Sequence, residues 1–87
     1  MSDKIFLDTN IFVYTQSSVE TRKRNISTEI IENYDCQTST QVLSEVSNVL
    51  TKKLNMPILD VKQIISAINT NCTINIIDYS TVQKLWI

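Results

Sequence analysis

Asp8 occupies a position that is typical of a functional carboxylate. It follows a short apolar run, residues 5–7, and is followed at once by Thr9 and Asn10. An apolar run that ends in polar residues predicts a buried strand emerging at the edge of a sheet. In open α/β sheets, ligands and metals bind at that edge, beyond the carboxyl ends of the strands. Asp8 is therefore a candidate metal ligand, although an Asp after a strand is also a common turn residue or helix cap.

Glu45 is the second candidate carboxylate, and it lies in a segment with a helical apolar pattern. On a helical wheel, with about 100° per residue, four residues form one apolar stripe: Val42, Val46, Val49 and Leu50. Glu45 lies about 40° from Val49 on that wheel, at the border of the stripe. A carboxylate there can lean toward the end of the first strand, where it would converge with Asp8 as a hard divalent cation requires. A solvated glutamate at the edge of the apolar face is the alternative.

The absence of two residue types narrows the chemistry that this sequence can perform. It contains no glycine and no histidine. Phosphate-binding loops of the Walker and dinucleotide types need glycine at fixed places, and Ser-His-Asp catalysis and imidazole metal sites need histidine. Carboxylates, hydroxyls, lysines and two thiols remain. Cys36 and Cys72 lack the spacing of a CxxC motif, so we expect both to be small core residues near strand starts.

The elements that must position these residues alternate between strand and helix. The pattern predicts a strand at 4–7, helices through residue 14 and at 20–34, a strand at 36–39, helices at 40–54 and 59–70, a strand at 72–77, and a last helix from residue 80. We expect Thr9 or Asn10 to cap the first helix. Thr38 and Gln41 have the spacing of a capping box. Strands separated by helices imply a parallel sheet with right-handed crossovers and helices on its faces.

Three helices carry apolar residues at helical spacing, which predicts the faces they bury. These residues are Ile26, Ile30 and Ile31 in the second helix, Val61, Ile64, Ile65 and Ile68 in the fourth, and Val82, Leu85 and Trp86 in the last. The last stripe reaches Ile87 without a cap, so we expect an α/β domain whose carboxyl-terminal portion is incomplete.

Length and composition predict one small globular domain over residues 1–87. The chain has 43% hydrophobic residues and a net charge of −1, which is atypical of disordered chains and of strongly basic nucleic-acid modules. No apolar run approaches the length of a membrane span, and no secretory signal is visible. We therefore expect a cytoplasmic protein without a membrane partner.

Four segments of the sequence resemble the amino-terminal part of PIN domains, the fold of VapC-type toxin ribonucleases. They are FLDTNIFVY at 6–14, STQVLSEV at 39–46, NVL at 48–50 and KL at 53–54, before Pro57. The resemblance implies a three-layer α/β/α fold with a parallel sheet. It also implies that Asp8 and Glu45 are metal ligands of an acidic catalytic site, supported by Thr9 and Asn10.

In that family, Mg²⁺ or Mn²⁺ activates water for cleavage of RNA phosphodiesters. The family places two further acids in later elements. Asp78 matches neither of them, and we interpret it as a turn residue or helix cap. The resemblance therefore implies a metal-dependent endoribonuclease that is weak or inactive in this shortened form.

Two other interpretations of the sequence remain. A non-catalytic remnant could bind an antitoxin-like partner through exposed helices, or associate with itself. A phosphatase of the haloacid-dehalogenase type also places an Asp after its first strand, but it needs a second Asp where Asn10 stands. The basic residues at 22–24 and at 52–53 could meet RNA phosphates, although solvated helix faces and a favourable helix dipole account for them more simply.

Overall fold

The protein is a small α/β domain with a three-stranded parallel sheet. A computed structural model describes residues 4–76, in which the elements alternate as predicted. They are β1 (Lys4–Phe6), α1 (Thr9–Tyr14), α2 (Thr21–Asn33), β2 (Asp35–Ser39), α3 (Thr40–Lys52), α4 (Ile58–Asn71) and β3 (Cys72–Asn75). The predicted helix from Ser80, with its stripe at 82–86, and the predicted turn at Asp78 lie outside the described residues.

The strands are arranged in chain order, β1-β2-β3, with β2 at the centre. Ile5 is paired with Cys36, and Cys36 is paired with Cys72, so these three residues form one row across the sheet. A second row runs through Phe6, Gln37 and Thr73 on the opposite face, since successive residues of a strand alternate between faces.

The two faces of this sheet differ in burial. Leu7, Cys36 and Thr38 belong to the face that the helices cover, and each is at most 3% exposed. On the other face Phe6 is 57% exposed, and Thr73 is exposed as well. Right-handed crossovers that advance in one direction across a sheet place all their helices on the same side. The expected three-layer arrangement needs helices on both faces of the sheet, and it stays a prediction.

One hydrophobic core joins the helices to the covered face of the sheet. Phe12 of α1 and Val46 and Leu50 of α3 have no exposed surface. In α4, Val61 and Ile68 are buried and Ile64 and Ile65 pack partly against the core, which confirms the predicted face of that helix. The predicted face of α2 is partly wrong, because Ile26 is 46% exposed and Ser27 is 2% exposed in its place.

Helix boundaries differ from the prediction where polar side chains compete for the same cap. The capping box of Thr38 and Gln41 is wrong: Ser39 caps α3, and its hydroxyl accepts a hydrogen bond from the Val42 amide at 3.2 Å. Thr38 is instead a buried strand residue. At the other end, α3 stops at Lys52, two residues before the predicted end.

A short connection joins α3 to α4. Asn55 has a φ of 51°, in the left-handed region that Asn tolerates better than most residues. Pro57 precedes the first residue of α4 and has no amide hydrogen to leave unsatisfied there. The break predicted from Pro57 is thus confirmed.

Within residues 4–76, no helix combines the length and the apolar character that crossing a membrane requires.

Candidate metal site at the carboxyl end of β1

Asp8 caps α1, and this local geometry fixes where its carboxylate lies. Its backbone is extended, and Oδ1 accepts a hydrogen bond from the Asn10 amide at 3.2 Å. The prediction that Thr9 or Asn10 caps this helix is therefore wrong. Thr9 is already the first helical residue. Capping and metal binding are compatible roles for Asp8, because the cap engages one carboxylate oxygen and the second oxygen accepts no hydrogen bond from residues 4–76.

Glu45 approaches the same edge of the sheet from α3. Its Oε2 accepts a hydrogen bond from Thr9 Oγ1 at 2.6 Å, a short, charge-assisted contact between residues 36 positions apart in the chain. The side chain is exposed, which matches the alternative of a solvated glutamate at the edge of the apolar face. The expected lean toward the end of β1 is present, because Thr9 directly follows Asp8.

The main chain before Asp8 is fixed to the central strand by two hydrogen bonds. The Leu7 amide donates to the Gln37 carbonyl at 2.8 Å, and the buried Thr38 hydroxyl donates to the Leu7 carbonyl at 3.0 Å. Thr38 has no exposed surface. Sequence reasoning did not identify this role, because a threonine in a strand looks the same whether its hydroxyl faces the core or solvent.

Replacing Thr38 with valine tests this contact. Valine keeps the shape but leaves the buried Leu7 carbonyl without its donor, so we expect a loss of about 1–3 kcal/mol in the free energy of unfolding. Thr70→Val is the matched control, since the Thr70 hydroxyl makes an equal 3.0 Å bond to Ser66 at an exposed position. We expect the control to change stability by at most about 0.5 kcal/mol. Urea denaturation of both variants measures the difference, and equal losses would contradict the assigned role of Thr38.

The two cysteines lie in neighbouring strands and are buried, as expected. Cys36 is 1% exposed and Cys72 is 8% exposed, and neither forms a disulfide. Burial raises the pKa of the Cys36 thiol, and burial together with Cys36 raises the pKa of Cys72 to about 11. Both thiols are therefore buried core groups with a low tendency to form the thiolate.

The raised pKa values predict low thiol reactivity in the folded protein. A shift of the Cys72 pKa from 9.0 to about 11 lowers its thiolate fraction near neutral pH about 100-fold. We expect a thiol-specific disulfide reagent to modify neither cysteine at neutral pH and to modify both in denaturant, as counted by intact mass. Rapid native modification of Cys72 would contradict its burial.

The basic residues near the start of α2 are engaged locally. Lys23 pairs with Glu20 at 3.4 Å and lies 4.9 Å from the centre of the Tyr14 ring. Arg24 donates to the Ser17 carbonyl at 3.4 Å. Lys52 and Lys53 end α3 as the helix dipole favours. These contacts support the structural interpretation of the basic residues.

The donor set at the candidate site is small. Asp8 and Glu45 are carboxylates from two different elements. No group of three or more His, Cys, Asp or Glu side chains within residues 4–76 is arranged to hold a metal ion.

The chain matches none of the protein-family models and none of the curated proteins with which it was compared.

Proposed function

We propose that this chain is a PIN-like, divalent-metal-dependent endoribonuclease whose metal site contains Asp8 and Glu45. The observation that carries the proposal is the hydrogen bond from Thr9 to Glu45 at 2.6 Å. It joins α3 to the residue next to Asp8, so two acidic side chains from separate elements approach the carboxyl edge of one parallel sheet. That edge is where α/β folds bind their ligands.

The donor chemistry fits a hard divalent cation. Both candidate ligands offer carboxylate oxygens, which suit Mg²⁺ and Mn²⁺. Mg²⁺ is usually held by one or two carboxylates, with water and substrate phosphate oxygens completing its coordination. Among residues 4–76, Asp8 and Glu45 each have one carboxylate oxygen engaged by a protein donor, and the other oxygen of each would be offered to a ligand.

Each residue of the site has a separate task in this proposal. Bound Mg²⁺ or Mn²⁺ would neutralise phosphate charge and lower the pKa of a bound water. Asp8 is held in place by the Asn10 amide and by its position as the cap of α1. Thr9 orients Glu45, and the bonds from β2 to Leu7 fix the main chain that precedes Asp8.

We propose weak activity, because residues 4–76 bring no third acidic side chain to this site. The family that the sequence resembles uses further acids, and catalysis needs a complete, positioned set of groups. A three-layer α/β/α arrangement and a cytoplasmic location belong to the same proposal.

RNA cleavage by the purified full chain tests the proposed activity directly. We expect slow cleavage of a single-stranded RNA with Mg²⁺ or Mn²⁺, none with EDTA, and none of a DNA strand of the same sequence. Asp8→Asn keeps the cap of α1 and should abolish cleavage, whereas Glu29→Gln, which removes an exposed acid of α2, should not. Equal cleavage by the Asp8→Asn variant would identify a contaminating nuclease and contradict the proposal.

A second candidate function is partner binding without catalysis, and an exposed apolar groove favours it. The groove has a volume of about 440 Å³, and its lining includes Tyr14, Val19, Leu54 and Met56. Val19 is 88% exposed and Leu54 is 47% exposed. An amphipathic helix of an antitoxin-like partner, or of a second copy, would place its apolar face in such a groove. Asp8→Asn would leave this binding unchanged, which separates the two functions.

A further inference from the structure

We propose that the cavity between α1, α2 and α4 binds a small primary amine with an apolar body. The cavity has a volume of about 290 Å³, at the lower end of the range for small-molecule sites, about 300–1,000 Å³. Among the described residues, its lining includes neither Asp8 nor Glu45. The amine site is therefore separate from the proposed metal site and does not depend on ribonuclease activity.

The cavity exists because small side chains line the space between two helices. α2 packs against α1 and β2, whereas α4 packs against α3 and β3. Thr28 of α2 and Ala67 of α4 both line the space between these helices, and neither side chain is large enough to fill it. The resulting opening leads from solvent toward the hydrophobic core.

The inner wall of the cavity is apolar. Phe12 has no exposed surface and Ile68 is 6% exposed, while Ile31 and Ile64 pack partly against the same core. All four residues line the cavity. A ligand with a hydrocarbon or aromatic body would remove apolar surface from water there, which a small hydrated ion would not do.

Two amides at the rim offer oxygen atoms, because their nitrogen atoms are already engaged. The Thr15 hydroxyl donates to the Phe12 carbonyl, so it can only accept from Gln16, whose Nε2 donates to it at 3.0 Å. Asn71 Nδ2 donates to the Ala67 carbonyl at 2.7 Å. These contacts fix the orientation of both amides. Gln16 Oε1 and Asn71 Oδ1 accept no hydrogen bond from residues 4–76.

Glu32 supplies the charge that selects a cation. It is exposed at the rim and forms no ion pair with residues 4–76. The described lining includes no lysine or arginine, so a ligand anion would meet an uncompensated carboxylate. A primary ammonium group has three N–H donors and no acceptor. It matches the carboxylate of Glu32 and the amide oxygens of Gln16 and Asn71 in both charge and hydrogen-bonding type.

An NMR titration of the full chain with 2-phenylethylamine tests the proposal. We expect saturable shifts of amide resonances from residues that line the cavity, at millimolar amine. The neutral analogue 2-phenylethanol has a similar size and no charge, and it should bind at least about tenfold more weakly, because hydrogen bonds to charged groups are stronger than neutral ones.

Two variants separate the charge of the site from its space. Glu32→Gln should weaken amine binding about tenfold, whereas Glu29→Gln, at an exposed acid of the same helix outside the described lining, should not. Ala67→Phe should abolish binding by filling the cavity, and Ser66→Phe, at the exposed neighbouring position, should preserve it. The two test variants lie in different helices, and circular dichroism of each shows whether the fold persists.

Three results would overturn the proposal. The absence of saturable shifts at millimolar amine would show that the cavity does not bind this class of ligand. Equal affinities for the amine and the alcohol would show that Glu32 does not select a cation. Shifts confined to residues around Asp8 and Glu45 would place the amine at the other acidic site.

Discussion

Leu50→Ala should lower the free energy of unfolding by about 2–5 kcal/mol. Leu50 has no exposed surface and lies on α3, the helix that also carries Glu45. Truncation removes buried methyl groups and leaves a cavity that the surrounding helices fill only in part. Since small domains have a total stability of about 5–15 kcal/mol, this single change would remove a large share of it.

Leu59→Ala is the matched control for this prediction. Leu59 is 69% exposed on α4, so its truncation should change stability by at most about 0.5 kcal/mol. Urea unfolding followed by far-ultraviolet circular dichroism measures both variants under identical conditions. A loss for Leu59→Ala as large as that for Leu50→Ala would contradict the core described above.

The order of the elements could be predicted from the sequence, because the spacing of apolar residues differs between helices and strands and indicates which face of each is buried. The stripe of α4 follows directly from that periodicity. The burial of Cys36 and Cys72 was expected instead from their lack of CxxC spacing and their places near strand starts. The exposure of Ile26 could not be predicted, since the same helical spacing allows a rotation of α2 that buries Ser27 instead. Tertiary packing decides between such rotations, and the local pattern does not encode it.

The site was predicted less completely than the fold. The lean of Glu45 toward the end of β1 could be anticipated from the helical wheel, but its partner Thr9 could not. The capping errors have one physical cause. Asp8 and Thr9 at one helix, and Thr38 and Ser39 at another, are neighbouring residues that can all cap. The backbone conformation at the strand end selects between them.

Metal binding should depend on both carboxylates of the proposed site. Even residues that only support metal ligands change affinity about 10- to 100-fold when replaced, so we expect at least a tenfold loss for Asp8→Asn and for Glu45→Gln. Both substitutions are close in shape to the native residues. Asn still caps α1, and Gln retains an oxygen that can accept the Thr9 hydrogen bond. A loss of affinity would therefore report on charge and coordination rather than on misfolding.

A Mn²⁺ titration of the full chain, followed by the electron paramagnetic resonance signal of the free ion, tests the central claim most directly. The unmodified chain and Glu29→Gln should each bind one ion saturably, and Asp8→Asn and Glu45→Gln should each lose that binding. Equal binding by all four proteins, or no binding by the unmodified chain at millimolar Mn²⁺, would contradict a metal site formed by Asp8 and Glu45.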